Sequence, residues 1–202
     1  MCNVFVQNAD HLPGWAAHAG FTPVRHDNPV PAGERFPKRM ATILRHADAP
    51  ELVGVQWGFE RIVPGKRPGT TRKTVVTNVR NLTSPFWRGM LASPAQRCLV
   101  PFTAFAEPVM GGGRANHWFR VLDRPVAAFA GIWRMTDDGE RFAFLTTEPN
   151  SLIAPLHPKA MPVVLHEADY ATWLTADWST AAHLVAPFPA QLMAAMQPDD
   201  MA

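Results

Sequence analysis

The chain is predicted to fold as one mixed α+β domain built around a strongly bent or barrel-like sheet, with short helices beside it. Three observations lead there. The 202 residues suit a single domain with a real core, and 47% of them are apolar, too many for a disordered chain. Short β-like runs outnumber helical ones. Twenty prolines, with no repeat or low-complexity linker between them, favour many turns and short helices.

Taken in order, Val4 to Val6 is an apolar, β-branched run, and Leu52 to Phe59 is a longer one. Residues 61–73 are rich in Pro, Gly and cations and read as a surface loop. Thr74 to Val79 is again β-branched. Ser84 is placed to cap a helix that starts at Pro85 and runs towards Leu91. Cys98 to Phe105, His117 to Leu122, Val126 to Trp133 and Arg141 to Thr147 complete the strands, and Gly111-Gly112-Gly113 reads as a hairpin turn. Glu167 to Leu174 and Pro189 to Met196 are further helix candidates.

Composition narrows the function classes. The two cysteines, Cys2 and Cys98, make no disulfide framework, and Cys98 sits in an apolar run as a buried strand residue would. No basic–apolar leader opens the chain and no apolar run could span a bilayer, so a cytoplasmic protein is expected. The net charge of +2 hides an asymmetry. Eight basic residues (Arg61, Lys66, Arg67, Arg72, Lys73, Arg80, Arg88 and Arg97) lie between Arg61 and Ala106 with no acidic residue among them. That leaves 11 of the 19 basic residues to face all 17 acidic ones elsewhere. A one-signed segment in a near-neutral chain points to a polyanionic partner.

The chemistry centres on Cys2. Loss of Met1 would leave an α-amine and a thiol on adjacent carbons, with ordinary pKa values of about 8 and about 8.5. An amine captures an aldehyde as an imine, and a thiol two atoms away can close on the imine carbon to form a thiazolidine. Three polar residues interrupt apolar segments: Asn78 after Thr74–Thr77, Glu107 after Leu99–Ala106, and His157 before Met161-Pro162. Singly they read as a turn residue, a strand end and a loop histidine. Together with Cys2 they supply a carboxylate and an imidazole for proton transfer and an amide for orientation. The histidines lack metal-ligand spacing and no serine nucleophile elbow occurs, so no metal and no cofactor are expected.

With these residues in place the chain resembles the SRAP (SOS response-associated peptidase) family. The resemblance is carried by Met1-Cys2-Asn3, Val55–Phe59, Thr77-Asn78-Val79-Arg80-Asn81, Pro85–Arg88, Arg97–Pro101, Ala104–Glu107, Phe129–Trp133 and Leu156–Pro162, in that order and over nearly the whole chain. It implies a single α+β domain over residues 1–202 with a curved, barrel-like, mainly antiparallel sheet and short flanking helices. It also implies a covalent thiazolidine between Cys2 and the aldehyde of an abasic site in single-stranded DNA, with Asn78, Glu107 and His157 as the family's active-site residues. Arg80 and Arg88 match positions that grip the DNA backbone, and the basic side chains Lys66, Arg67, Arg72 and Lys73 are expected beside them, with Trp87 or Phe86 stacking on bases and Trp57 expected in the core instead. A monomer is expected, associated with the nucleoid when bound to DNA. Asn3-Val4 stands where many relatives have Gly-Arg, Leu82 where many have Glu, and Pro108 where an aromatic residue is common. The rival readings are a thiol peptidase with Cys2 as nucleophile and a non-covalent single-strand binder.

Overall fold

The first strand, β1 (Val4–Gln7), leads into the helix α1 (Leu12–His18), which has Pro13 in its first turn. Strands β2 (Arg25–Asp27), β3 (Gly33–Arg35), β4 (Met40–His46) and β5 (Pro50–Trp57) follow. Next come β6 (Phe59–Pro64), β7 (Thr71–Val76), β8 (Asn78–Val79) and helix α2 (Pro85–Ala92). The second half holds β9 (Arg97–Phe102), β10 (Ala104–Pro108), β11 (Asn116–Val121), β12 (Ala127–Thr136) and β13 (Gly139–Thr147). The chain finishes with β14 (Met161–Pro162), β15 (Val164–Leu165), α3 (Tyr170–Thr175), α4 (Trp178–Ala181) and β16 (Met193–Ala195). This computed structural model describes residues 2–27, 30–46, 48–109, 111, 113 and 115–196, with the backbone alone for 25–27. Met1 and Gly112, the latter within the expected glycine turn, lie outside the described residues.

Strands β5, β4, β9, β12 and β13 pair antiparallel in that order. A short parallel pairing, Arg141↔Gln56 and Phe142↔Trp57, brings β13 back to β5 and closes a five-stranded barrel. A second, antiparallel sheet has the order β16-β11-β10-β1-β3. The fold is therefore the mixed α+β domain with a barrel-like, mainly antiparallel sheet that the sequence predicts.

Alternation along the barrel strands sorts residues into two cores. Ala41, Ile43, Val53, Val55, Trp57, Cys98, Val100, Phe102, Phe129, Phe142 and Phe144 pack with one another and with Phe5, Phe105 and Phe119 of the second sheet. Their neighbours Leu44, Leu52, Leu99, Ala128, Ile132, Ala143 and Leu145 pack instead against α1, α2 and α3. Gly131 faces inward, where an added Cβ would lie 2.8 Å from Cys98 Sγ and from Val100 Cγ2. The absence of a side chain lets β12 and β9 approach.

Breaks in the strands fall where the chain changes partner. Gly58 adopts φ +107°, and a Cβ there would collide with Val75. It divides the predicted Leu52–Phe59 run into β5 of the barrel and β6 of a separate hairpin with β7. The predicted run Cys98–Phe105 is divided at Thr103, whose N–H donates to Val6 O at 2.9 Å as the chain crosses from the barrel to the second sheet. Buried Gln7 ties the same junction: its Nε2 donates to Thr42 O (2.7 Å) and Pro101 O (2.8 Å), and its Oε1 accepts from Thr42 N–H (2.9 Å).

Two expectations change. Residues 61–73 are mostly strand, forming the β6–β7 hairpin, because Ile62, Val63 and Thr71–Val76 pair across it and only 65–70 form the turn. Pro189–Met196 forms one 3-10 turn and then β16, since Met193 fills the core beside Val121 rather than continuing a helix. Ser84 does occupy the N-cap of α2, but its backbone carbonyl, not its hydroxyl, takes the first N–H groups.

Candidate active site

Four elements carry the four chemical residues to one place. Cys2 leads into β1, Asn78 opens β8, Glu107 lies on β10 beside β1, and His157 ends the turn before β14. All are covered: Cys2 and Glu107 are 0% exposed, His157 5% and Asn78 7%. The sequence alternatives of a frayed terminus and an exposed strand end therefore do not apply to Cys2 and Glu107.

Asn78 Nδ2 donates to Cys2 O at 3.1 Å and to Thr77 Oγ1 at 2.8 Å. The Cys2 carbonyl can only accept, so the atom facing it is the nitrogen, and the amide orientation is fixed. Both N–H groups are then used, and Asn78 Oδ1 is left buried with no hydrogen-bond partner. Thr77 is itself held by Trp57, whose Nε1 donates to Thr77 O at 3.0 Å. The backbone N–H of Cys2 is directed at the Glu107 carboxylate, so the carboxylate meets the nitrogen that would become the α-amine. His157 Nδ1 lies 3.0 Å from Ala160 O and 3.4 Å from Glu107 Oε2. Ala160 O only accepts, so Nδ1 carries a proton and the lone pair of the neutral ring is on Nε2.

Burial sets the protonation states. It pushes Glu107 up to about 7, so this carboxyl gains and loses a proton near neutrality. Burial lowers His157 and favours its neutral ring. Burial, and then the negative charge of Glu107, push the Cys2 thiol well above its ordinary value. The thiol donates to Val4 O at 3.4 Å and is kept protonated.

The cations are arranged differently. Arg80 is exposed two residues beyond Asn78, and Arg88 is exposed on α2. Lys66, Arg67, Arg72 and Lys73 are exposed on the β6–β7 hairpin, where Lys73 pairs with exposed Glu60 at 3.3 Å. Arg97, counted in the basic stretch, is instead internal: its guanidinium donates to Ala176 O and lies 5.6 Å from the Trp173 ring centre. Trp87, expected at the DNA, is 3% exposed and packs edge-on against Phe59 and Phe86, so its ring is part of the core. Trp57 is likewise buried. Half-buried Phe86 has the guanidinium groups of Arg61 and Arg134 at 4.6 and 5.3 Å from its ring centre.

Thr77 is the site residue that sequence reading passes over. Its signal was present, a hydroxyl directly beside the candidate amide, but a threonine in a β-branched run reads as an ordinary strand former. A separate cleft of about 660 Å³ lies among Asp10, His11, Trp15, His18, Arg124 and Glu167, away from these four residues. There Glu167 lies 2.7 Å from Arg124 Nη1 and 3.3 Å from Nε2 of exposed His18. Among the described residues no group of three His, Cys, Asp or Glu side chains is placed to hold a metal, and no helix is long and apolar enough to cross a membrane.

The family described as SOS response associated peptidase (SRAP) matches residues 1–199. No curated protein matches the chain. Among solved structures, a protein from Bordetella bronchiseptica is 23% identical with a TM-score of 0.72, covering 97% of this chain and 100% of that one. A protein from Bacteroides thetaiotaomicron is 21% identical with a TM-score of 0.71, covering 98% of this chain and 93% of that one. A phage-related protein from Bordetella bronchiseptica is 18% identical, with a TM-score of 0.65 over 96% and 93% of the two chains. These structures share the fold.

Proposed function

Since the chain belongs to the SOS response associated peptidase family, a membership that supports a function associated with DNA damage, we propose that it crosslinks itself to abasic sites in single-stranded DNA through Cys2. The observation that carries this reading is Glu107, buried and titrating near neutrality, set against the Cys2 nitrogen. Once Met1 is gone, that nitrogen adds to the aldehyde of the ring-opened sugar, and Glu107 takes the proton the amine gives up. The resulting carbinolamine loses its hydroxyl as water, with the proton returned by Glu107, and an imine remains. The Cys2 sulfur then bonds to the imine carbon while its proton passes to the nitrogen, closing the thiazolidine. One water is released and no redox partner is required. Asn78 holds the Cys2 carbonyl so that amine and thiol keep their places.

The protonated thiol argues against the peptidase reading. A thiol peptidase needs a thiolate activated by a base. The Cys2 thiol donates to a carbonyl, and burial beside Glu107 opposes its ionisation. An amine-first sequence has no such need, because the thiol acts second on an activated carbon.

The test is intact mass and denaturing electrophoresis after incubation with abasic single-stranded DNA. The wild type should start at Cys2 and give an adduct that survives denaturation. Cys2→Ala should give none, although its terminal amine can still be trapped as an imine by a reductant. A stable adduct of undiminished yield from Cys2→Ala would falsify the thiazolidine route.

A further inference from the structure

One buried cation, Arg35, has no counter-charge among the described residues. Arg35 ends β3 directly opposite Phe5 of β1. Cross-strand partners project from the same face, so Arg35 shares the face of Phe5, whose ring centre is 5.1 Å from that of Trp57. Arg35 is 9% exposed, and its Nε and Nη2 are covered without an acceptor. Of the other two buried guanidinium groups, Arg45 is paired with carboxylates and Arg97 is partly compensated. Arg45 is held by Glu51 (2.8 Å) and Glu140 (2.5 Å) and lies over Trp133. Arg97 has the Ala176 carbonyl, the Trp173 ring and the charge of Asp177, although its Nε and Nη1 are also covered without an acceptor. Arg35 differs in having no carbonyl, ring or acid among the described residues set against its guanidinium. Burying an ion with no counter-charge is costly, and an incoming anion would offset that cost.

The surroundings have the matching character. The turn after Arg35 exposes Lys38 and Arg39, with Phe36 43% and Met40 41% exposed on either side of them. Hydrogen bonds fix this turn to the barrel: the backbone pairs Lys38 N–H to Trp57 O (2.8 Å) and Trp57 N–H to Arg39 O (2.9 Å), and the side-chain bond Gln56 Nε2 to Lys38 O (2.7 Å). The acid next in sequence, Glu34, is exposed, and by strand alternation it belongs to the opposite face. Cys2 lies three residues before Phe5, or about 10 Å along the strand. Trp57 connects the same region to Thr77 and so to Asn78.

We propose that Arg35 is an anion-binding residue that takes a backbone phosphate of the DNA strand held at Cys2, with Lys38 and Arg39 at its rim. The guanidinium offers a planar fork of donors that matches phosphate oxygens, and its unused N–H groups are the ones a phosphate would satisfy. This inference rests on the DNA reading above, but its test does not require a crosslink.

The experiment compares wild type, Arg35→Met and Arg35→Gln for binding to undamaged single-stranded DNA over a range of salt, alongside their melting temperatures. The expected result is weaker binding and a salt-dependence slope lower by about 0.7, one phosphate on a single strand, with melting unchanged or raised because an uncompensated ion has gone. A second arm adds inorganic phosphate at constant ionic strength. If phosphate raises the melting temperature of the wild type alone while the DNA slope is unchanged in the variants, the anion is free phosphate and the strand assignment is overturned. An unchanged slope without a phosphate effect, or a melting drop beyond about 5 °C in both variants, makes Arg35 a structural residue and overturns the proposal. A wild type that binds strands but forms no abasic adduct would sink the crosslinking reading while the slope still decides Arg35.

Discussion

On the crosslinking proposal, Glu107 and Thr77 set how Cys2 reacts. Glu107→Gln should slow crosslinking by about 100-fold and leave DNA binding within a few-fold, as read in single-turnover rates. The wild-type rate should change with pH around 7, where Glu107 titrates, and the variant should lose that dependence. Stability gives a second, independent sign. The folded pKa is raised above that of the unfolded chain, so stability conferred at low pH is lost as pH rises from the ordinary carboxylate range through about 7. Glu107→Gln should therefore melt higher than wild type at pH 8, with the difference shrinking below pH 5. Thr77→Val keeps the shape but removes the acceptor for Asn78 Nδ2. It should slow crosslinking roughly 5- to 10-fold, the worth of about one hydrogen bond, and Thr77→Ser should restore the rate. Equal rates in Val and Ser variants would make Thr77 a packing residue.

Among the elements, the exposed cations lie just beyond β8, on α2 and on the β6–β7 hairpin. Arg80→Ala or Arg88→Ala should each lower the salt slope of single-strand binding by about 0.7 and weaken all sequences alike. Because both side chains are exposed, melting should barely move. A fall in melting temperature with an unchanged slope would assign them to internal ion pairs. Most elements were legible in the sequence where one face is apolar and a turn residue follows, as in β12, β13 and α2. Strand β4 was not: Ala41, Thr42, Ile43 and Leu44 are all covered, so period-two alternation is absent, and Met and Ala are weak strand formers. Helix α1 was hidden by Pro13 and Gly14 within its seven residues. Of the site, Cys2 stood out by its place directly after Met1, and Asn78, Glu107 and His157 because polar groups interrupt apolar runs. Thr77 and Arg35 did not, because their meaning depends on strands that pair across long separations.

At the scale of the whole molecule, the barrel and the second sheet meet around β1, and Gln7 is the bolt between them. Gln7→Ala would leave Thr42 N–H, Thr42 O and Pro101 O without partners. The expected cost is about 3 kcal/mol or more at about 1–3 kcal/mol per buried group left unsatisfied, read as a lower denaturant midpoint with an unchanged m-value. Retained stability would show that the two sheets do not depend on this residue for their union.

The same arrangement determines what happens when a strand attached to Cys2 is pulled. Chain ends usually peel, but β1 lies between β10 and β3 and is pinned at its far end to the barrel by Gln7. Tension applied at Cys2 runs along the strand, across its ladders, and loads the bonds on both sides together instead of one at a time. If Cys2 carries a strand as proposed, it is thus mounted in shear, and a DNA end joined there would be held under force until the sheet itself gives way.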